Sequence, residues 1–246
     1  MNKLTTAVLA CAALAYATPA AAGPITMDSS DIDSSFTIDF DGFANNSTNT
    51  VDGLSGSITF TLEEITSGTY TFGYKVDNTS SDGVASKISS FAFNVDPDIV
   101  GASSDGAYNY SFVTDGRASD PSYPNQVGAV DVCFKAANSG SCSNSSGVSE
   151  GSTGSGSLSL FFGSSPSEIT LSDFFVRYQG ISGAGDVTSA SGQQVTSSTT
   201  GGSSSGTQVP APGMVWILGL VLLGLGFLRR PGRWNASDLG GKPAFA

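Results

Sequence analysis

Histidine is absent from this 246-residue sequence, and its absence removes several classes of chemistry. Histidine is the usual general base at neutral pH and the commonest protein ligand of transition metals. Ser-His-Asp, Cys-His and His-Glu-x-x-His mechanisms are therefore excluded. Glycoside hydrolysis by two carboxylates needs no histidine, but the spacing of Asp and Glu marks no particular pair. The sequence accordingly predicts a protein that is not an enzyme.

Basic residues and tryptophan are also scarce. The chain has 10 Lys and Arg against 21 Asp and Glu, a net charge of −11. Such a chain repels the phosphates of nucleic acid and of anionic lipid, so the sequence predicts no nucleic-acid partner. Both tryptophans, Trp216 and Trp234, lie near the C-terminus, where they cannot stack on a sugar bound to the main domain. Tyr108, Tyr110 and Tyr123 are expected to be exposed, either at the rim of a β-domain or as a glycan platform.

The N-terminus has the features of a secretory signal peptide. An Ala- and Leu-rich apolar run follows a basic residue, and Ala20-Ala-Ala22 precedes Gly23. A basic start, a short apolar stretch and small residues before the cut predict removal of residues 1–22, between Ala22 and Gly23. The alternative is a lipoprotein attached through Cys11, although the apolar run continues past that cysteine.

Two cysteines, Cys133 and Cys142, remain after removal of this signal. An even number of cysteines in an exported protein predicts a disulfide, because oxidising compartments favour the bond. Asn138-Ser-Gly140 between them is a turn sequence that can bring the two ends together. A metal or redox pair fits less well, since the spacing is not Cys-x-x-Cys and no histidine completes a ligand set.

The C-terminal region combines a proline motif, an apolar run and a basic cluster. Val209-Pro210-Ala-Pro212-Gly213 is followed by fifteen uncharged, mostly apolar residues, Met214–Leu228, and then by Arg229-Arg230. As a helix of about 1.5 Å per residue the run spans roughly 22 Å, short of the roughly 30 Å hydrocarbon core. The arginines indicate that the last residues are cytoplasmic and that the domain before Val209 is outside. The segment is thus predicted to be one short transmembrane sorting helix.

This tail, together with a signal peptide, resembles the PEP-CTERM proteins, which Gram-negative bacteria sort through exosortase. Pro210-Ala-Pro212 stands where the family usually has Pro-Glu-Pro, and residues 231–246 extend the tail beyond the family's usual end. The resemblance implies the Sec translocon, signal peptidase and exosortase as partners during export. It also implies a chain that is transiently anchored in the inner membrane and then reaches the cell surface or the medium. An ordinary C-terminal membrane anchor is the alternative.

Alternating apolar residues predict strands across residues 23–181. Phe36, Ile38 and Phe40 alternate with polar residues, and a Ser67-Gly68 turn separates two further alternating stretches. No stretch has the apolar spacing of a helix. These patterns predict an all-β domain, a single β-sandwich of the jelly-roll or immunoglobulin-like type. The predicted strands comprise residues 36–40, 58–62, 70–76, 88–95, 108–113, 127–134, 158–162 and 174–179.

Two segments are rich in Ser, Gly, Asn and Thr. Residues 138–157 are expected to form an exposed loop. Residues 182–208 are expected to form a flexible linker, with a reach of roughly 25–30 Å, that holds the domain away from the membrane. The sorting signal then occupies residues 209–233, and residues 234–246 form a short cytoplasmic tail.

Three stretches of the predicted domain are similar to the cistern family of PEP-CTERM proteins. They are Ser90-Phe-Ala-Phe-Asn-Val95, Val130-Asp-Val-Cys-Phe134 with Cys142, and Asp173-Phe-Phe-Val-Arg-Tyr-Gln179. The resemblance covers about residues 25–180 and implies no particular activity.

Asp28, Asp31 and Asp33 belong to the densest group of carboxylates. Calcium sites need several converging oxygen ligands, and aspartates in loops supply such ligands. The spacing matches no EF-hand, so solvated turn residues are the competing interpretation. Calcium is the one cofactor that the sequence suggests.

These features together favour a non-enzymatic surface or secreted protein that contributes to an extracellular polysaccharide or biofilm matrix, or to an adhesion layer. The alternative is a carbohydrate-binding module or a weak glycan-active enzyme that uses two carboxylates. A cleft lined by tyrosines and paired carboxylates favours the alternative, and a closed sandwich favours the first hypothesis.

Overall fold

The computed structural model describes residues 23–45, 49–81, 83–114 and 122–200, without the side chains of residues 196–200. These residues form twelve strands and one 3₁₀ helix, Ser29–Asp31. The strands are β1 (Ile25–Asp28), β2 (Ser35–Phe40), β3 (Gly56–Thr66), β4 (Thr69–Asn78), β5 (Ala85–Asp96), β6 (Ile99–Ser104), β7 (Tyr110–Val113), β8 (Val132–Lys135), β9 (Val148–Ser149), β10 (Thr153–Phe162), β11 (Glu168–Ser182) and β12 (Ser189–Thr200).

The predicted terminal signals lie outside the described residues, of which Gly23 is the first. Every described residue belongs to the first of the chain's two units, Met1–Gly206. Within the described ranges, no helix has the length and apolar character needed to cross a membrane. The predicted sorting helix, Met214–Leu228, falls outside those ranges.

The strands form one large antiparallel sheet that is nearly closed. Its hydrogen-bonded order is β6-β10-β4-β3-β2-β12-β11-β5-β8-β7, with β1 added to β11 and β9 added to β5. Strand β12 bonds to β2 on one side and to β11 on the other, so it joins the two halves of the sheet. Across the gap between the edge strands, the Ser111 hydroxyl of β7 donates to the Ala102 carbonyl of β6 at 2.7 Å. The prediction of an all-β domain is confirmed.

The two halves of the sheet pack their aromatic side chains against each other. The rings of Phe36 on β2 and Phe60 on β3 are 5.1 Å apart, and Phe60 lies 5.8 Å from Phe174 on β11 and 5.9 Å from Phe91 on β5. All four rings are buried. Alternate residues of β2, β3 and β4 point to this face, which is why the two-residue period located these strands. Tilted and edge-to-face rings at such distances add to the stabilisation from buried apolar area.

The predicted Ser67-Gly68 hairpin turn is confirmed. It joins β3 to β4 and sets Thr66 opposite Thr69. Both turn residues have a positive φ, 42° for Ser67 and 82° for Gly68, as the tightest hairpin turns favour. A Cβ on Gly68 would lie 2.8 Å from the carbonyl oxygen of Ser164, so glycine is needed here for space as well as for its backbone angle.

The prediction of a flexible linker over residues 182–208 is wrong for its central part. Ser189–Thr200 form β12, in the middle of the sheet. Its residues are mostly small and polar, so no alternation of apolar side chains marked it as a strand. Backbone hydrogen bonds to β11 and β2 hold it in the sheet. Ala190 is buried, and a Cβ on Gly192 would lie 2.2 Å from the carbonyl oxygen of Asp41. The glycine therefore allows the strand to fit at this point.

Two other boundaries also differ from the prediction. The expected exposed loop 138–157 contains β9 and the first half of β10, where Gly154 leaves room for Val148 against the strand. The expected strand 127–134 is shortened to β8, because the backbone closes a turn over Tyr123–Gly128. In both places the sequence contains Ser, Gly or Asn, which are typical of turns. The residue at which the strand begins could therefore not be located from the sequence.

Candidate functional site

A second, smaller hydrophobic cluster lies on the outer face of β5, β8 and β11. On β11, Phe174 and Val176 point into the main core, whereas Phe175 and Arg177 lie on the opposite face. The connections on either side of β8 cover this outer face. We call the cluster, together with Arg177 and Lys135, the outer layer. Its buried apolar members are Ala92, Tyr123, Val130, Cys133 and Cys142, and Phe112, Val127 and Phe175 pack against them.

The predicted cysteine pair lies at the centre of the outer layer. Cys133 on β8 and Cys142 in the following connection are bonded, with their Cα atoms 6.1 Å apart, and both are buried. This Cα distance is within the usual range of disulfides. The Ser90 hydroxyl of β5 donates a hydrogen bond to the Cys142 carbonyl. The pair therefore ties a Ser- and Asn-rich connection to the face of the sheet.

Arg177 is a buried cation in the outer layer, with 6% of its surface exposed. Its guanidinium donates to the side-chain oxygens of Asn125, Ser191 and Ser189, the last at 2.8 Å. Among the described residues no carboxylate pairs with it, and its buried Nε has no acceptor. Burial lowers the pKa of Arg177 from its ordinary value. Because Ser189 and Ser191 belong to β12, Arg177 fixes the last strand to β11 and to the turn at Asn125.

Lys135 at the end of β8 is the second buried cation, with 3% of its surface exposed. Its ammonium donates to the Ser139 carbonyl and lies 5.8 Å from the ring centre of Phe112. Burial lowers the pKa of this ammonium. In the part of the chain that the structure describes, Lys135 also has no carboxylate partner. The outer layer thus holds two cations, Arg177 and Lys135, through neutral oxygens and an aromatic ring. Among the described residues, neither cation forms an ion pair with a carboxylate.

The tyrosines predicted to be exposed are mostly buried. Tyr108 is inaccessible and donates to the Ile88 carbonyl at 2.7 Å, and Tyr123 is buried in the outer layer. Only Tyr110 keeps substantial exposure, 38%. The prediction of a tyrosine cluster at the surface is therefore wrong for two of the three residues. Their neighbours in sequence are Ser, Gly, Asn and Pro, which gave them the appearance of loop residues.

The predicted calcium residues have a local structural role. Asp28 caps the 3₁₀ helix, where its carboxylate accepts the Ser30 amide at 2.7 Å, and Asp31 accepts the Asp28 amide at 3.0 Å. The hydrogen bonds from Ser30 lower the pKa of Asp28. Asp33 is exposed and has a φ of 69°. No group of three or more His, Cys, Asp or Glu among the described residues is placed to hold a metal ion.

A depression of about 390 Å³ lies between the β2–β3 and β11–β12 connections. Asp52 is its one carboxylate, and no tyrosine lines it. A glycosidase needs two carboxyl groups facing each other across the substrate. The depression therefore lacks the pattern that the sequence analysis set as the sign of a glycan-active site. Its lining consists of Thr50, Val51, Asp52, Val84, Gly183, Ala184 and Val187.

One end of the sheet is strongly acidic. The register sets Thr200, the last residue of β12, opposite Ser35, and sets Asp28 opposite Glu168. The end of β3, the turn into β4, the end of β5 and the start of β6 lie at this same end. We call it the exit end, because β12 finishes there. Its described carboxylates belong to Asp28, Asp31, Asp33, Glu63, Glu64, Asp96, Asp98 and Glu168.

The strand ends and turns at the exit end, residues 28–35, 63–70, 96–99 and 168–172, contain no Lys or Arg. Lys87, for example, is opposite Gln179 and Ser149 towards the other end of the sheet. Burial raises the pKa of Tyr70 at the start of β4, and the nearby carboxylates of Asp28 and Glu168 raise it further. The described residues of this end thus combine negative charge with no compensating cation.

Sequence patterns did not single out Arg177 or Lys135. Arg177 lies between the buried residues Val176 and Tyr178 of β11, and Lys135 follows the buried Phe134 at the end of β8. A cation inside such an apolar stretch is the signal that could have located the outer layer, since unpaired charges are rarely buried.

No protein-family model matches the chain, and no curated protein or solved structure is significantly similar to it. Its function is therefore inferred from its own residues.

Proposed function

We propose that this chain is an exported, exosortase-processed bacterial protein of the PEP-CTERM kind, released to the cell surface or the medium. Its all-β unit, a β-sandwich of the jelly-roll or immunoglobulin-like type, contributes without enzymatic activity to an extracellular polysaccharide matrix or an adhesion layer. The structural observation that supports export is the buried Cys133–Cys142 pair, and the sorting proposal rests on the sequence of residues 209–230. Such bonds persist in exported proteins and are rare in the reducing cytosol.

The packing of the domain supports a structural role. Its core is filled by large rings, and the three exposed large apolar side chains among the described residues, Ile32, Val100 and Tyr110, are scattered along the chain. The predicted mature region, residues 23–208, has 20 acidic and 5 basic residues, a net charge of −15. Such a charge keeps a secreted domain soluble and makes an acidic polysaccharide a poor ligand.

Binding of a neutral polysaccharide is the second candidate function. Hydroxyl groups pair across neighbouring strands on the outward face of β2, β3, β4 and β10. Each paired hydroxyl retains further hydrogen-bonding capacity that a sugar can use. The pairs are Ser35 with Thr61 at 2.7 Å, Thr37 with Thr59 at 2.8 Å and Thr71 with Ser159 at 3.1 Å.

The sorting proposal is tested by expressing the full chain in a Gram-negative host that has an exosortase and in the same host without it. Intact-mass measurement of the exported protein should show an N-terminus at Gly23 and a C-terminus near Pro210–Gly213 in the first host only. The variant Pro210→Ala/Pro212→Ala is the matched control and should remain uncut. A product that retains Trp216 and the arginines in both hosts would leave only the ordinary membrane anchor.

The carbohydrate candidate has a separate test. The variant Thr37→Val/Thr59→Val keeps the shape of the paired side chains and removes both hydroxyls. It should lower sedimentation of the domain with an insoluble neutral glucan several-fold. Val100→Thr, a change on β6, is the control and should leave sedimentation unchanged.

A further inference from the structure

The two buried cations of the outer layer belong to one row of residues across the sheet. The register sets Lys135 on β8 opposite Ser90 on β5, and it sets Ser90 opposite Arg177 on β11. Residues directly opposite each other in an antiparallel pair place their side chains on the same face. Because neighbouring strands are about 4.8 Å apart, the backbones at Lys135 and Arg177 are about 10 Å apart, with Ser90 between them. Two positive charges are therefore concentrated under the connections that cover this face.

No described carboxylate compensates these two charges. Arg177 and Lys135 are only 6% and 3% exposed, and the ion pair that the described residues do form joins Lys75 to Asp77. Removing a cation from water is unfavourable, and hydrogen bonds to neutral oxygens offset only part of that cost. An anion placed in this row would be attracted by both cations in surroundings where water screens their charges weakly.

Two polar atoms beside the middle of the row lack a partner. The hydroxyl of Tyr123 and the Nε of Arg177 are buried, and neither has a hydrogen-bond partner. Burial raises the pKa of Tyr123, and the nearby Ser90 hydroxyl and Arg177 charge oppose this rise, so the phenol lies close to both. The phenol keeps its proton at neutral pH and can donate it to a hydrogen bond, as can the Arg177 Nε–H. The row thus has two unused donors next to Ser90.

The neighbouring donors already have acceptors. The Ser90 hydroxyl donates to the Cys142 carbonyl, and the two Nη atoms of Arg177 donate to Asn125 and to the serines of β12. A buried water could accept from the two unused donors, but it would have to donate two hydrogen bonds of its own and would leave the charges uncompensated. A monatomic anion accepts hydrogen bonds from every side and carries the missing negative charge.

We propose that the Arg177 Nε–H and the Tyr123 hydroxyl bind a monatomic anion such as chloride, which lies beside Ser90 and between the two buried cations. Tyr123 and Ser90 are 1% and 0% exposed, so the site is closed to larger anions such as phosphate. The bound ion links the turn that carries Tyr123 to β11 and so completes the outer layer. This inference is independent of the sorting proposal.

The first test measures the melting temperature of the purified exported protein while sodium chloride replaces sodium gluconate. The ionic strength is held constant, so screening of the domain's net negative charge does not change. A ligand that binds only the folded state stabilises it by mass action. Chloride at ten times its Kd should therefore raise the melting temperature by roughly 4 °C.

A matched pair of variants tests the position of the site. Tyr123→Phe keeps the ring and removes one of the two donors, and it should reduce the chloride-dependent shift to less than about a quarter. Tyr178→Phe is the control, because it also removes a buried hydroxyl without a partner, but one that lies in the main core. It should keep the full shift. Arg177→Met should abolish the shift, and should that variant fail to fold, Tyr123→Phe still decides.

Crystals grown with sodium bromide give a direct test. The anomalous signal of bromide should show a peak within hydrogen-bond distance of both the Tyr123 hydroxyl and Arg177 Nε. Equal melting temperatures in chloride and gluconate would overturn the inference, and so would a full chloride shift in Tyr123→Phe. A water at this position, or bromide peaks at the protein surface alone, would show an adventitious ion only and would also overturn it. None of these outcomes would affect the proposed sorting function.

Discussion

The two faces of the half-sheet formed by β11, β5 and β8 are built from alternate residues of the same strands and are stabilised differently. The inner face carries large rings such as Phe91 and Phe174, which contact the rings of the other half. The outer face carries small or polar residues such as Ala92 and Arg177, under connections rich in Ser, Gly and Asn. The inner face is thus held by side-chain volume, and the outer face by a covalent bond and by directional hydrogen bonds.

The difference follows from what each face is packed against. A sheet facing another sheet meets regularly spaced apolar side chains, so alternation alone can fill the space. A sheet facing loops meets few apolar groups, and the loss of chain entropy on ordering those loops has to be offset in another way. The bond between Cys133 and Cys142 and the clamp of Arg177 on Asn125 serve this purpose.

The largest effect is expected for an inner-face truncation. Phe60→Ala removes a buried ring that contacts rings on β2, β5 and β11, and it should lower the free energy of unfolding by about 3–5 kcal/mol. Phe175→Ala, on the outer face and only partly buried, is the matched control and should cost less than half as much. Urea denaturation followed by circular dichroism measures both. Equal losses would contradict the contrast between the faces.

Removal of the disulfide should have the next largest effect. Cys133→Ala/Cys142→Ala opens a short loop and should lower the free energy of unfolding by roughly 2–3 kcal/mol. Wild-type protein under reducing conditions should behave in the same way. Thiol labelling of the exported protein under denaturing, non-reducing conditions should find no free thiol. Stoichiometric labelling of both cysteines would refute the bond.

The inner face could be predicted from the sequence, because apolar residues alternate with polar ones along its strands. Phe36, Phe60 and Phe174 fall in strands that alternation located. Strand β12 could not be predicted in the same way, since Ser, Gly and Gln carry no period and its place depends on two partners distant in sequence. The position of such a strand is set by backbone hydrogen bonds that become visible only when β2 and β11 are already assembled.

The outer layer could be predicted only in part. The bond between Cys133 and Cys142 follows from cysteine count and compartment, and the structure has it. The burial of Tyr123 could not be inferred, because it depends on a turn folding back over β5 and β11. The aspartates near the N-terminus show the opposite case, in which the sequence suggested a site that the structure explains locally. Their spacing suggested calcium ligands, whereas Asp28 caps the 3₁₀ helix.

A smaller effect is expected in the turn that covers the outer layer. Asn125 and Gln126 both have a positive φ, 61° and 64°, which costs energy for residues other than glycine. Gln126 is exposed, so Gln126→Gly should raise the free energy of unfolding by about 0.5–1 kcal/mol. Asn125→Gly relieves the same angle and loses the bonds to Phe43 and Arg177, so it should be destabilising instead. The same urea denaturation assay measures whether each variant raises or lowers the free energy of unfolding. If both variants raised it, the hydrogen bond between Arg177 and Asn125 would not contribute to stability.

The smallest effect concerns the charge of Lys135, and it depends on pH. Burial lowers the pKa of Lys135 in the folded state below the ordinary value of 10.5. At pH values between the lowered pKa of folded Lys135 and 10.5, the unfolded chain therefore binds more protons than the folded one. The contribution of Lys135 to stability rises with pH through that window.

Lys135→Met keeps the buried stem and removes the charge, so it should change stability by less than about 1 kcal/mol at neutral pH. Any advantage of the variant should shrink as the pH approaches 10.5, because the wild-type ammonium then loses its proton. Lys87→Met, at an exposed position of β5, is the matched control for the removal of one positive charge. A difference for Lys135→Met that grows between pH 7 and pH 10.5 would contradict the burial of a charged ammonium in the outer layer.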